Sequence, residues 1–302
     1  MKTALKIAVT LGLLAFLATQ VDMGAVLGHA AQADPAFLAA AVLCQFLSTV
    51  VASYRWFFIM RVLGHGRNWG FFLRSYFKGA FFNQLLPSNI GGDVVRVMDV
   101  KRTGVDLAQS FFGVFIDRLF GILGLLFIGL LAALATPGFF THDLEVLVIL
   151  VFAAGIGGVL FLTLFHRWTF LRRRRLLRLL VDLSLNLYQL FRRTRSFIAQ
   201  FGLSIVTHVF SILAVWFIAL AVGIDQAFIL FLTLIPLVML FMALPISLAG
   251  WGVREGAMVG LFLLAGIDKG PILSVSLLYG LVVIVTILPG YLAWATDRDS
   301  LY

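Results

Sequence analysis

Charged residues are scarce in this 302-residue chain, at 12%, and cysteine occurs once, as Cys44. A lone cysteine excludes an intramolecular disulfide. His29, His65, His142, His166 and His208 show no metal-ligand spacing, and the sequence carries no Gly-rich phosphate loop, nucleophile elbow or paired-cysteine zinc pattern. A soluble-type active site is therefore not expected, and neither is a metal or cofactor. What fills the chain instead is apolar: 62% hydrophobic residues and a mean hydropathy of +1.05, against the roughly half apolar and quarter charged mix of soluble domains. The composition predicts an all-α polytopic membrane protein, a single integral membrane domain over 1–302 with no room for a sizeable soluble domain.

Apolar runs long enough to cross a bilayer as helices, about 20 residues each, predict about eight crossings: 5–22, 36–60, 107–135, 144–165, 198–222, 228–248, 255–267 and 271–295. Two stretches fit a plain span poorly. The run 69–86 carries Arg74 and Lys78, and 255–267 is too short to cross upright. Lys2 and Lys6 before an apolar run, with Ala31-Gln32-Ala33 downstream, imitate a cleavable leader, but the gap is long and a retained first helix is expected.

Lysine and arginine are distributed unevenly. Segments 23–35, 136–143 and 223–227 contain none, whereas 61–106 holds seven and 166–197 holds nine, so both termini and the basic connections are expected to face the cytoplasm. Lys269 is the one dissenter. The net charge of +9 thus falls mainly on one membrane face, which points to anionic lipid headgroups rather than nucleic acid. Within 167–196, Arg175, Arg178, Asp182, Asn186, Gln189 and Arg193 share one helical face and Leu176, Leu179, Leu180, Leu183, Leu187 and Leu190 the other. This pattern predicts a helix in the cytoplasmic interface, with its leucines in the acyl boundary.

Two features stand out against the apolar background. Asp117 and Arg118 lie inside a span, where each charge costs about 2.5–3.5 kcal/mol at the helix centre on insertion scales. Adjacent helical residues point about 100° apart, so each needs its own polar neighbour. The second feature is a repeated phrase, PSNIGGDVVR from Pro87 and PISLAGWGVR from Pro245, whose copies start 158 residues apart. Helix-breaking residues at corresponding places in two halves are the sequence sign of a transporter site built from broken or re-entrant segments. They suggest pseudo-repeats 1–150 and 151–302, with inversion as one arrangement of the two. Amides freed at a half-helix N-terminus favour an anion, and Arg96 or Arg254 would add full charge beside them.

LLPSNIGGDVVR, the intramembrane Asp-Arg of FIDRLFGILGLL, and PISLAGWGVREGA, in that order, resemble the flippase-like transmembrane domain of the lysylphosphatidylglycerol synthase family. The resemblance spans essentially the whole chain and implies a lipid-handling membrane domain of a bacterial inner membrane. In bifunctional relatives such a domain precedes a transferase; no transferase is visible here, so lipid lysinylation, and enzymatic activity in general, are not expected of this chain. The leading expectation is a transporter moving an anionic or polyprenyl-phosphate-linked lipid between leaflets. Arg96 and Arg254 would bind phosphate in a polar cleft, Asn89 and Ser247 would donate hydrogen bonds, Gly91, Gly92, Gly250 and Gly252 would permit the bend and close approach, and Asp117, Arg118 and Glu255 would serve gating or coupling. Two alternatives stand beside it: a non-transporting scaffold for a lipid-modifying enzyme or glycosyltransferase, and an intramembrane lipid-linked transferase with Asp117 or Glu255 as base.

Overall fold

A computed structural model describes residues 3–20, 22–86, 91–138, 140–168, 175–243, 247 and 249–298. The described residues form twelve α-helices: α1 (Thr3–Gln20), α2 (Met23–Ala31), α3 (Pro35–Val62), α4 (Trp69–Leu85), α5 (Gly91–Arg102), α6 (Leu107–Ala135), α7 (His142–Leu164), α8 (Arg175–Arg192), α9 (Thr194–Ala221), α10 (Phe228–Ala243), α11 (Val253–Leu264) and α12 (Lys269–Arg298). The protein is an all-α polytopic integral membrane protein. Five helices, α3, α6, α7, α9 and α12 (α7 with the 3₁₀ turn that follows it), are long and apolar enough to cross a membrane. They account for five of the eight predicted crossings, and the other three are shorter or bent. The run 5–22 ends at Asp22, whose carboxylate caps α2 by accepting from the Gly24 and Ala25 amides, and the chain turns there by 92°. α10 has 16 residues and α11 only 12; at 1.5 Å per residue the latter spans about 18 Å, short of a ~30 Å hydrocarbon core.

Local sequence sets the helix starts. Asp34 caps α3 ahead of Pro35 at the first helical position, Asn68 caps α4 through the Phe71 amide, and Asp106 caps α6 through the Ala108 amide. α4 and α5, and again α10 and α11, run back along each other. Gly92 donates its amide to Asn83 Oδ1 at 2.7 Å and Ser75 donates to Asp99 at 2.8 Å, which makes α4 and α5 an antiparallel hairpin. Its close approach needs glycine on both sides: a Cβ on Gly92 would sit 1.8 Å from the Gly79 carbonyl oxygen. Phe231 against Phe262, and Met242 against Gly250, define the same arrangement for α10 and α11.

The order long, short, short, long therefore occurs twice, as α3–α6 and as α9–α12. The two leading helices pack on each other antiparallel. Asp34 N–H donates to the Ala221 carbonyl at 2.9 Å, Phe37 stacks on Phe217, Ser48 Oγ donates to the Thr207 carbonyl at 2.9 Å, and Arg55 Nη1 donates to Ser204 Oγ at 3.1 Å. As the index rises along α3, it falls along α9. Equivalent helices running in opposite directions make the two four-helix units inverted. The ends of α3 and α9 lie at opposite ends of the pair, so the hairpins dip in from opposite sides. Packing between units is reciprocal: α12 lies on α4, and α6 on α10. The repeating units cover 35–135 and 194–298, narrower than equal halves of the chain.

α8 packs part of its leucine face on the protein. Leu183, Leu187 and Leu190 are buried in one cluster with Ile116, Phe120 and Leu123 of α6, while Leu179 and Leu180 remain exposed. Three leucines of that face are thus covered by the protein rather than by acyl chains, and two are not. One polar contact of α8 is made by Ser184 Oγ, which accepts the His166 amide at 2.8 Å.

Candidate functional site

Both motif arginines are sealed inside the protein: Arg96 is 3% exposed and Arg254 2%. Around Arg96 the charges alternate. Asp117 accepts from Arg55 Nε at 2.8 Å on one carboxylate oxygen and from Arg96 Nη2 at 2.7 Å on the other. Asp93 then pairs with Arg96 Nη1 at 3.3 Å and with Arg118 at 2.9 and 3.1 Å. The chain Arg55, Asp117, Arg96, Asp93, Arg118 has three guanidiniums against two carboxylates, and its Arg118 end is 47% exposed. Asp117 and Arg118 do find different partners, on α3 and α5. The Arg96 guanidinium also lies 4.1 Å from the Trp56 ring centroid and 4.3 Å from that of Tyr76, so aromatic faces replace part of its lost hydration. Arg96 Nε and Trp56 Nε1 are buried with no hydrogen-bond partner among the described residues.

The second motif builds a smaller and neutral version. Glu255 Oε1 accepts from Arg254 Nη2 at 2.5 Å and Nε at 3.0 Å, and from Ser276 Oγ at 3.2 Å, while Oε2 accepts the Gly252 amide at 2.5 Å. Trp251 and Tyr279 lie 4.4 and 5.8 Å from the guanidinium. Gly280 makes room, since a Cβ there would stand 2.5 Å from Arg254 Nη2. Gly250 and Gly252 hold φ of +84° and +82°, and Ala249 one of +48°, so the bend uses left-handed backbone that glycine adopts without steric cost. Ser247 is buried, and its hydroxyl has no partner among the described residues.

Of the predicted site residues, Arg96, Asp117 and Arg118 fall in one network and Arg254 and Glu255 in the other. Gly91 and Gly92 open α5, with Gly92 at the α4 contact; the Gly92 and Gly252 amides, expected to face an anion, are already held by Asn83 and Glu255. Asn89 lies outside the described residues. The expected cleft is closed at both arginines in this conformation.

Several participants escape a reading of the motifs alone. Arg55 is a buried cation within a span, with the same insertion cost that singles out Asp117. Gln45, Ser48 and Arg55 on α3 meet Ser204, Thr207 and Ser211 on α9, at helical spacings of 3, 4 and 7 that were present in the sequence as a polar stripe. The Ser211 and Tyr279 hydroxyls lie 3.0 Å apart, and each is within donating distance of Gln45 Oε1, at 3.1 and 3.2 Å, so their two protons are shared over three contacts. This stripe connects the surroundings of Arg96 with those of Arg254. Lys78, a charge in the apolar run of α4, pairs with Asp99 at 2.7 Å and with Asp297 of α12.

No curated protein matches the sequence. The family model described as the lysylphosphatidylglycerol synthase TM region matches residues 3–290, and the chain belongs to that family.

Proposed function

We propose that the protein moves an anionic phospholipid, or a lipid linked to polyprenyl phosphate, between the leaflets of a bacterial inner membrane, with both termini cytoplasmic and no chemical transformation of the lipid. The observation that carries this reading is the buried alternating chain around Arg96, which has one guanidinium in excess and an unpartnered Arg96 Nε. The chain carries one net positive charge and is open at its half-exposed Arg118 end, where an anion can enter, and a phosphate supplies acceptors for two guanidinium donors at once.

The second hairpin offers a matching place from the opposite side, at the buried Arg254–Glu255 pair, and the Ser247 hydroxyl before α11 is buried as well. Transfer then consists of exchanging carboxylate for phosphate at one arginine, then at the other. Asp117 and Glu255 take the guanidiniums back when the headgroup leaves, so neither arginine stands unpaired in the apolar interior. The acyl or prenyl chains stay in the bilayer throughout.

The test is headgroup accessibility in proteoliposomes, using fluorescent phosphatidylglycerol and polyprenyl phosphate with an impermeant quencher. Wild type is expected to expose inner-leaflet probe faster than empty vesicles, and the Arg96→Ala/Arg254→Ala double variant to lose that rate. Equal rates for wild type and empty vesicles, with and without a proton gradient, would overturn the proposal.

A further inference from the structure

Beside the α4–α5 hairpin, a cavity of ≈ 350 Å³ opens between α5 and the end of α12, within the ~300–1,000 Å³ range of small-ligand sites. Its wall is amphiphilic in a graded way. Val94, Met98 and Arg102 recur at intervals of four residues on one face of α5, so about 12 Å separates the apolar end from the basic end. Val94 and Met98 are 56% and 40% exposed, and Arg102 is 62% exposed. Phe82 and Trp294, packed edge to face at 5.8 Å, back the apolar end.

The charges at the basic end are unequally committed. Asp99 accepts from Lys78 at 2.7 Å and from Ser75 at 2.8 Å, whereas Arg102 reaches it only at 3.8 Å. The Arg102 guanidinium thus keeps most of its donors for another acceptor. It stands at the C-terminal end of α5, on the side rich in lysine and arginine, while Val94 lies toward the hairpin tip. A phospholipid of that leaflet has the same polarity gradient along its length, with phosphate at the interface and chains below.

We infer that this cleft binds one phospholipid from the basic-side leaflet, its phosphodiester on Arg102 and an acyl chain along Val94, Met98 and Phe82. Resting on the transport reading, it is the place where a lipid waits before its headgroup reaches Arg96. The commitment is to a phospholipid and not to free phosphate, because the apolar wall makes up most of the cleft and phosphate alone would leave it unfilled.

Native mass spectrometry of the detergent-purified full chain tests this, after addition of phosphatidylglycerol or of diacylglycerol, which lacks the phosphate. Wild type and Arg67→Glu, a basic-side change outside the cleft, are expected to retain one phosphatidylglycerol and no diacylglycerol. Arg102→Glu and Val94→Trp, both at exposed positions, should each lower occupancy about tenfold. Equal occupancy in all four proteins, or equal retention of diacylglycerol, would overturn the site. The translocation assay separates the two claims: selective retention without translocation by wild type keeps the cleft and removes the transport reading, whereas translocation with unchanged retention in both variants removes the cleft alone.

Discussion

The hairpins α4–α5 and α10–α11 carry the same phrase and bury the same arginine, yet they differ in charge and in backbone. Aligned on Arg96 and Arg254, Gly91 corresponds to Ala249 and Val94 to Gly252. The first copy is helical from Gly91, whereas the second runs through left-handed residues at 249, 250 and 252 and becomes helical only at Val253. Valine at 94 disfavours positive φ strongly, and glycine at 252 permits it. Electrostatics follows the same division: the first arginine belongs to an open-ended chain with a positive excess, the second to a closed neutral pair. One motif thus gives a rigid charged arm and a bent neutral one.

The charge difference is the place to break the comparison with the largest effect. Asp117→Asn leaves one acceptor oxygen for two buried guanidiniums and should destabilise by about 3–5 kcal/mol. Glu255→Gln leaves Arg254 without a carboxylate but keeps it an acceptor oxygen, Ser276 and two aromatic faces, and should cost about 3 kcal/mol. Thermal unfolding in detergent ranks them; a larger loss for Glu255→Gln would reverse the assignment of open and closed networks.

Backbone packing gives the next contrast. Gly92→Ala forces a Cβ into the Gly79 carbonyl and should cost about 3 kcal/mol. Gly250→Ala meets only the flexible Met242 methyl at 3.0 Å, so the left-handed φ dominates at about 1–2 kcal/mol. Denaturant titration of the pair measures the difference.

Much of the frame is legible from hydropathy, because α3, α6, α7, α9 and α12 are single long apolar runs and the Pro/Gly phrase marks both hairpins. The inversion is not legible: it rests on Asp34 meeting Ala221 and Ser48 meeting Thr207, contacts 187 and 159 residues apart. Nor is the full pairing of Lys78, which joins the nearby Asp99 to Asp297, 219 residues away. Charge cost identifies Asp117 and Arg118 in the sequence, and by the same rule identifies Arg55. Their pairing needs helix rotation, which composition does not contain. Leucine periodicity on α8 finds the apolar face correctly but not what covers it, since α6 and the acyl chains are equally apolar neighbours.

Smaller effects sharpen the contrast between the arms. Tyr279→Phe removes the hydroxyl shared with Ser211 and Gln45 and should cost about 0.5–1.5 kcal/mol, read from the unfolding midpoint. Val94→Gly should cost only about 0.5 kcal/mol but make the first turn of α5 exchange amide hydrogens faster, toward the behaviour of residues 249–252. Unchanged exchange would show that Val94 does not hold the first arm helical.

The inverted arrangement of the two hairpins is tested most directly by cysteine labelling from one side of sealed membrane vesicles, in a Cys44→Ala background. Arg67→Cys lies in the connection before α4 and Asp225→Cys in the connection before α10, both exposed. An impermeant maleimide is expected to label one of them in intact vesicles and the other only after permeabilisation. Labelling of both from the same side would contradict the inversion.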